Sequence, residues 1–171
     1  KCSDDGSMVV AIVKGGNIWK SADSGQSWRA DLAFLDQYKQ RDRDETTTPR
    51  KSGSWHDIAM SADGTKLAVI VSNGNLWTSV DSGETWIENY SLGEHKQWAA
   101  ISLSGDGTKL ALYHGPWQGG RMWIAKPIKN TNWVEDTSVG QSKNWDRITS
   151  SADGTKVFAT VYQGNIWKSV N

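Results

Sequence analysis

Two near-identical octapeptides concentrate hydroxyl and carboxylate groups, which can do chemistry when they lie close together. Residues 21–28 read SADSGQSW and residues 79–86 read SVDSGETW. Hydrolysis of a glycosidic bond, for example, generally requires two positioned carboxylates. Asp23 and Asp81 stand at the same place in the two copies, so they are either such a pair or one structural part used twice. The elements that carry them decide between these interpretations.

Other reactive residues do not form a known catalytic or metal-binding pattern. The three histidines (His56, His95 and His114) lack the spacing of metal ligands, and the single Cys2 excludes an internal disulfide framework and a Cys-based zinc site. No phosphate-binding glycine loop and no nucleophile elbow is present. We therefore expect neither a metal nor a cofactor.

The chain is built from an internal repeat. The string S-x-D-G occurs four times, and each copy is followed by an apolar run, a Gly-containing turn and a strand-like segment with a Trp. Successive D-G steps are 58, 43 and 47 residues apart. The four strings cover residues 3–6, 61–64, 104–107 and 151–154.

Ten of the 11 tryptophans fall into three columns of this repeat, so we expect them to pack within or between the repeated units. Only Trp117 has no repeat position. The first column precedes S-x-D-G, the second lies in the strand after the Gly turn, and the third ends the octapeptide. They comprise Trp55, Trp98 and Trp145, then Trp19, Trp77, Trp123 and Trp167, and then Trp28, Trp86 and Trp133.

Each unit reads as four short strands, a to d, because short alternating runs bounded by Gly, Asn and Asp are typical of strands. Repeats of about 40–50 residues with four strands each favour an all-β propeller of antiparallel blades. The Asn-Gly step at 73–74 predicts a two-residue hairpin turn. The first unit lacks strand a and the last lacks strand d, which gives 14 strands and predicts one part of a six- to eight-bladed propeller. The units span approximately 1–31, 55–90, 98–137 and 145–171, with a charged loop inserted at 32–54.

The octapeptide S-x-D-x-G-x-[ST]-W resembles the Asp-box, or BNR, repeat. That family includes sialidases, xyloglucanases, sortilin-type receptors, a photosystem II assembly factor and propeller lectins. The third unit keeps only the Trp of this motif, in AKPIKNTNW at 125–133. The resemblance implies a propeller, and it favours an extracytoplasmic protein. A sialidase would bring an arginine triad and a Tyr nucleophile, but the Phe/Tyr-Arg-Ile-Pro signature is absent, so xyloglucanase is the nearer hydrolase.

The repeat itself argues for a structural octapeptide. Asp side chains accept backbone N–H bonds in tight turns, Gly supplies positive φ, and Ser or Thr hydroxyls bond nearby backbone. A residue that recurs in the same slot of each unit serves the unit, so we expect no catalysis from it. The structural set comprises Ser21, Asp23, Gly25, Ser27 and Trp28, and Ser79, Asp81, Gly83, Thr85 and Trp86.

Blade topology places the S-x-D-G turns and the octapeptides on one face, and the b–c turns and d–a connections on the other. Two departures from the repeat fall on that second face. The b–c turn of the third unit, HGPWQGGR, offers Trp117 with His114 and Arg121 as a ligand-binding group. The charged loop at 32–54 offers a partner-binding group of Tyr38, Arg41, Arg43 and Arg50.

These features favour a non-catalytic scaffold that binds a glycan or a protein through the b–c and d–a face. One alternative is a fragment of a propeller glycoside hydrolase, in which inner-strand acids such as Asp57 and Asp146, which we take as equivalent, face a channel. Another is an accessory or assembly subunit of a larger complex, or a chain that meets further blades. The 19 basic and 19 acidic residues balance, which argues against a nucleic-acid partner, and no apolar run has the length of a membrane span.

Overall fold

The computed structural model describes residues 1–14, 16–32, 55–92, 96–115, 120–125, 133–135 and 143–170. At a few of these positions it describes the backbone only. These ranges contain fourteen β-strands, the number that the repeat predicts. The strands are β1 Val9–Ile12, β2 Ile18–Ser21, β3 Arg29–Ala30, β4 Trp55–Met60, β5 Leu67–Gly74, β6 Leu76–Ser79, β7 Ile87–Asn89, β8 Lys96–Leu103, β9 Leu110–His114, β10 Met122–Ala125, β11 Trp133–Glu135, β12 Trp145–Ser150, β13 Lys156–Val161 and β14 Ile166–Val170.

The strands form four antiparallel units in chain order, which we number blades 1 to 4. Blade 1 is β1–β3, blade 2 is β4–β7, blade 3 is β8–β11 and blade 4 is β12–β14. Blades 2 and 3 also join through a short pairing of β5 with β8, at Ser72 with Gln97 and Gly74 with Lys96. The prediction of a β-propeller of four-stranded antiparallel blades is confirmed.

The two-residue hairpin turn predicted at 73–74 is not formed. The N–H of Val71 donates to the carbonyl of Asn75, which leaves three residues inside the hairpin loop. Gly74 does not have the positive φ that such a turn requires. The prediction was wrong because the hairpin closes with a three-residue loop, as it also does in blades 1 and 4, where the N–H groups of Val13 and Val161 donate to the carbonyls of Asn17 and Asn165.

Each inner strand carries a β-bulge immediately after its first Trp. The register shifts between Trp55 and Asp57, and the same shift follows Trp98 and Trp145. The inserted residues are His56, Ala99 and Asp146. Asp57 is therefore equivalent to Ala100 and Arg147, and the predicted equivalence of Asp57 with Asp146 is wrong by one residue.

Hydrophobic packing occurs mainly between successive blades. The inner-strand tryptophans Trp55, Trp98 and Trp145 are buried, each in a different cluster. Each indole Nε1 donates to a glycine carbonyl in the b–c turn of the preceding blade, and the three acceptors are Gly16, Gly74 and Gly120 at 2.8–3.1 Å. One polar contact thus repeats at every blade junction that the structure describes.

Two column tryptophans do not pack as predicted. Trp19 and Trp28, both in blade 1, are partly exposed, whereas their equivalents Trp77 and Trp86 in blade 2 are buried. Trp86 packs in the cluster that joins blades 1 and 2, beside Val10 and Ile18. The third-column Trp therefore packs on a preceding blade, and no such blade covers Trp28 in the described structure.

The a–b turns and the octapeptide turns lie together. The N–H of Ser24 donates to Ser7, and the N–H of Ser82 donates to Thr65. Backbone hydrogen bonds also join successive a–b turns. The N–H groups of Asp4, Ala62 and Gly105 donate to the carbonyls of Ala62, Gly105 and Ala152 respectively. Within the described ranges, no helix has the length and hydrophobicity to cross a bilayer.

Candidate ligand-binding face

Each octapeptide is a closed set of hydrogen bonds. In the second copy, Asp81 accepts the N–H of Thr85 at 2.9 Å and the hydroxyls of Thr85 and Ser79. The Ser79 hydroxyl in turn accepts the N–H of Gly83 at 2.8 Å. The first copy repeats these bonds, and Ser24, Gly25, Ser82 and Gly83 all have φ between 58° and 87°. The carboxylates of both copies are therefore engaged by their own turns.

These bonds also determine protonation. The hydroxyl and N–H of Ser27 and the hydroxyl of Ser21 hold the pKa of Asp23 at about 2. For Asp81, partial burial raises the pKa, but the bonds from Thr85 and Ser79 outweigh it and lower the value to about 2. A general acid or base works best with a pKa near the operating pH. Neither group has the properties of such a catalyst.

A buried ion pair attaches the second octapeptide to blade 1. The Lys20 ammonium lies 3.3 Å from Asp31 and donates to the Gly83 carbonyl at 2.7 Å. The indole of Trp86 donates to Asp31 at 3.1 Å. One carboxylate therefore holds an ammonium from its own blade and an indole from the next.

The inner strands of blades 2 to 4 enclose a cleft of about 620 Å³. Its exposed polar lining includes Lys1 and Thr149, together with the bulge residues His56 and Asp146 and Arg147, which follows Asp146. A bulge turns consecutive side chains towards the same region, and bulges are common beside functional sites. Because the bulge residues begin the inner strands, they lie towards the end where the d–a connections arrive.

Asp57 also lines the cleft, but its carboxylate joins two blades. It accepts the N–H of Ile58 at 2.9 Å and the N–H of Ile101, in blade 3, at 3.1 Å. Tyr113 makes a similar link, because its hydroxyl donates to the backbone carbonyl of Asp146 in blade 4. Burial first, and then the charge of Asp146, raises the pKa of Tyr113 to about 12, so the phenol remains a donor.

The third b–c turn brings His114 and Arg121 together at the end of a hairpin. The N–H of His114 donates to the Arg121 carbonyl, and the Arg121 side chain is exposed. The His114 ring stacks on Trp123 with centroids 4.7 Å apart, and both rings meet the edge of Trp98. Trp117 and the predicted partner group Tyr38, Arg41, Arg43 and Arg50 lie outside the described residues.

Sequence reasoning placed Asp57 and Asp146 beside a channel but did not identify His56 and Arg147, because the walls of the cleft come from separate blades and from a register shift. A signal existed for part of it, since the position after each inner-strand Trp varies between His56, Ala99 and Asp146 while the Trp itself does not vary. Across the described ranges, no group of three or more His, Cys, Asp or Glu side chains is placed to hold a metal ion.

Comparison with known proteins gives structural similarity without sequence similarity. No family model matches the chain, and no curated protein matches it. A GH74 xyloglucanase from Xanthomonas campestris superposes with a TM-score of 0.69 and 18% identity over 98% of this chain. YCF48 from Cyanidioschyzon merolae superposes with a TM-score of 0.62 and 18% identity over 96% of it. KlAtg21, solved in complex with the coiled coil of AgAtg16, gives 0.64 and 12%.

The chain spans only part of each of these proteins. It covers 27% of the xyloglucanase, 51% of YCF48 and 50% of the KlAtg21 chain. At these identities the similarity shows the fold alone. The propeller architecture is common to an enzyme, YCF48 and a protein bound to a coiled coil, so function has to be argued from the site.

Proposed function

We propose that this chain is a non-catalytic scaffold that binds a polypeptide segment of another protein at the cleft between the inner strands. The observation that carries the proposal is the exposed, mixed-charge lining of the cleft, where the bulge residues His56 and Asp146 lie with Arg147, the residue after the bulge of blade 4. The b–c turn with His114 and Arg121 extends the same face. The sequence predicts that the charged loop at 32–54 lies on this face as well.

The chemistry of the cleft favours a polypeptide over a glycan. Sugar recognition commonly uses an accessible aromatic ring, because Tyr and Trp combine an apolar face with a polar tip. The cleft aromatics within the described residues are Tyr113 and Trp145, and both are buried. Charged groups of both signs match the side chains and backbone of a peptide. A glycan-binding role depends on Trp117 and remains a prediction of the sequence.

Two of the structural neighbours bind polypeptides. YCF48 has been solved bound to a D1 peptide, and KlAtg21 has been solved with a coiled coil. These complexes support the proposal by example, because each contains a protein of similar fold bound to a polypeptide. They also support the accessory or assembly role as the setting in which such binding occurs.

The resemblance to the Asp-box family is part of this proposal. Both octapeptides form the turn expected of a structural repeat element, with Asp23 and Asp81 bonded inside their own turns. If the octapeptides are structural elements of this family, they take no part in binding. The ligand is then expected on the opposite face, where the units differ from one another.

A propeller glycoside hydrolase is the competing function, favoured by the presence of Asp146 in an open cleft. Glycoside hydrolysis requires a second positioned carboxylate. Asp57, the other acid of the cleft, is engaged by two backbone N–H groups from two blades. That engagement makes it a structural residue and weakens the catalytic interpretation.

The proposal is tested with peptides selected on the purified chain from a random displayed library. We expect the Arg147→Glu variant to bind the selected peptides at least about tenfold more weakly, as expected for a lost charge-assisted contact. Lys156→Glu, on the opposite face, is the matched control and should bind normally. Peptides that bind wild type and Arg147→Glu equally would contradict the cleft as the site.

The competing functions are tested on the same preparations. Specific binding on a glycan array that is lost in Trp117→Ala would favour a glycan-binding protein. Turnover of xyloglucan that is lost in Asp146→Asn would establish the hydrolase and overturn the scaffold. Neither result is expected if the cleft binds a polypeptide.

A further inference from the structure

One position on strand c of each blade, the strand that follows the b–c turn, reports whether another blade covers it. Ile18, Leu76 and Met122 are 1%, 1% and 2% exposed in blades 1 to 3. Each belongs to the same cluster as the inner-strand Trp of the following blade, which is Trp55, Trp98 or Trp145 respectively. The equivalent residue of blade 4 is Ile166, and it is 74% exposed.

The b–c turn of blade 4 has the geometry of a turn that receives an indole. The N–H of Gly164 donates to the carbonyl of Val161 at 2.9 Å, and the N–H of Val161 donates to the carbonyl of Asn165 at 3.2 Å. In blade 1, Gly16 donates to Val13 at 2.8 Å, and Val13 donates to Asn17 at 3.1 Å. The carbonyl of Gly16 accepts the indole of Trp55. Gly164 offers a carbonyl in the same turn, and it is exposed.

The sequence of this surface repeats that of blade 1. Residues 17–21 and residues 165–169 both read NIWKS. In blade 1 the lysine of this string, Lys20, is buried and bonds the octapeptide of the next blade at Gly83. Its equivalent in blade 4 is Lys168, which is exposed. Blade 4 therefore presents the apolar residue, the turn carbonyl and the lysine that blade 1 uses to hold blade 2.

We propose that residues 161–169, here called the blade-4 face, dock one more blade of this repeat. The partner blade has an inner strand that begins with Trp, whose indole covers Ile166 and donates to the Gly164 carbonyl. It also has an octapeptide turn whose carbonyl accepts from Lys168. The three junctions already formed in this chain define the contacts of the Trp, and the junction of blades 1 and 2 defines the contact of the lysine.

A second copy of the chain does not supply the same contacts. The inner-strand tryptophans of the described blades, Trp55, Trp98 and Trp145, already donate within their own chain. The exposed Trp28 of blade 1 stands at the end of an octapeptide, where Trp86 packs in blade 2, and its indole bonds its own turn at Gly25. It is not an inner-strand residue, so a second copy would leave Ile166 uncovered.

The docking face is tested by extending the full chain. Residues 24–92 are joined after Asn171, which reproduces the passage from blade 1 to blade 2 because Asn171 stands where Asp23 stands in the repeat. Hydrogen exchange of the segment 161–169 is then measured. We expect exchange to slow by about tenfold or more relative to the 171-residue chain, since burial under a packed blade raises the opening free energy.

Two variants make the result specific. Trp55→Ala in the appended copy alone, and Ile166→Asp in the extended chain, should each restore the fast exchange, while exchange in β5 confirms that the remaining blades stay folded. Equal exchange of residues 161–169 with and without the extension would overturn the proposal. So would concentration-dependent dimerisation of the 171-residue chain that protects this segment, because a second copy would then be its occupant.

Discussion

Asp31 is a buried carboxylate that connects two blades through two partners, the Lys20 ammonium and the Trp86 indole. Removing one member of a buried ion pair leaves the other charge without compensation, which typically costs about 3–5 kcal/mol. We expect Asp31→Ala to lower the free energy of unfolding by about 3 kcal/mol, near the lower limit, because Lys20 keeps the Gly83 carbonyl and its 3.3 Å contact with the exposed Glu84 carboxylate. Urea denaturation followed by Trp fluorescence measures the change.

Two controls separate this ion pair from ordinary surface charge. The double variant Lys20→Met with Asp31→Leu should recover part of the lost stability, since an apolar pair of similar volume replaces both charges while the Trp86 indole still loses its Asp31 acceptor. Arg29→Ala removes the exposed pair with Glu84 and should cost less than about 1 kcal/mol. A loss in Arg29→Ala as large as that in Asp31→Ala would contradict the assignment.

The a–b turns contain aspartates with lowered pKa values that make stability depend on acid pH. In blade 2 the hydroxyl of Ser61, followed by the N–H of Thr65, lowers the pKa of Asp63 to about 2. A group whose folded pKa lies below its unfolded value stabilises the fold above the unfolded value, and the stabilisation is lost as pH falls through the folded value. We expect the melting temperature to fall between about pH 4 and pH 2, as measured by calorimetry across that range.

Ser61→Ala is the variant that checks the cause. It removes the hydroxyl that contributes most to the shift, so the pKa of Asp63 should move back towards its ordinary value. Carbon-detected NMR titration of the Asp63 carboxyl reports this directly. An Asp63 that titrates normally in the wild-type protein would contradict the hydrogen-bond geometry of the turn.

At the scale of the strand, the bulge after each inner Trp separates a structural acid from an exposed one. Asp57 ties β4 to β8 through the N–H of Ile101, whereas Asp146 projects into the cleft. We expect Asp57→Ala to destabilise the protein by about 1–3 kcal/mol, because two N–H groups lose their acceptor. Asp146→Ala should change stability by less than about 0.5 kcal/mol. Paired urea titrations distinguish them, and equal effects would show that the two acids are equivalent after all.

The strands were predictable because a repeat reports them several times. Strand number, strand order and the Trp columns follow from aligning the units, and each unit corrects the others. The three-residue loop at 72–74 and the bulge were not predictable in this way, because both depend on backbone pairing that no local sequence pattern encodes. The equivalence of Asp57 with Arg147 was available from the alignment, since each stands two residues after its inner-strand Trp.

Which site residues lie together was predictable only within a single turn. His114 and Arg121 stand in a hairpin that is longer than its siblings, and a departure from the repeat identified it. The cleft brings His56 near residues 146 and 147, which are far along the chain. Such a site depends on how blades are arranged around an axis, and composition and spacing do not contain that information.

At the scale of the whole molecule, stability resides in the junctions between blades. In repeat architectures each unit contacts only its neighbours, so stability is approximately a sum of unit and nearest-neighbour terms. Blades 2 and 3 each have a neighbour on both sides, while strand c of blade 4 exposes Ile166 and the octapeptide of blade 1 exposes Trp28. Opening should therefore begin at blades 1 and 4.

Native-state hydrogen exchange tests this order. Amides of β5 and β9, whose apolar side chains are almost entirely buried, should exchange slowest. Amides of β14 should exchange fastest among the paired strands, since its edge and its Ile166 face are open. A gradient from the middle blades to the outer ones, retained at low denaturant, would follow from nearest-neighbour stabilisation. A single exchange free energy shared by all fourteen strands would instead mean that the four blades unfold as one cooperative unit and that the junctions are not the separable source of stability.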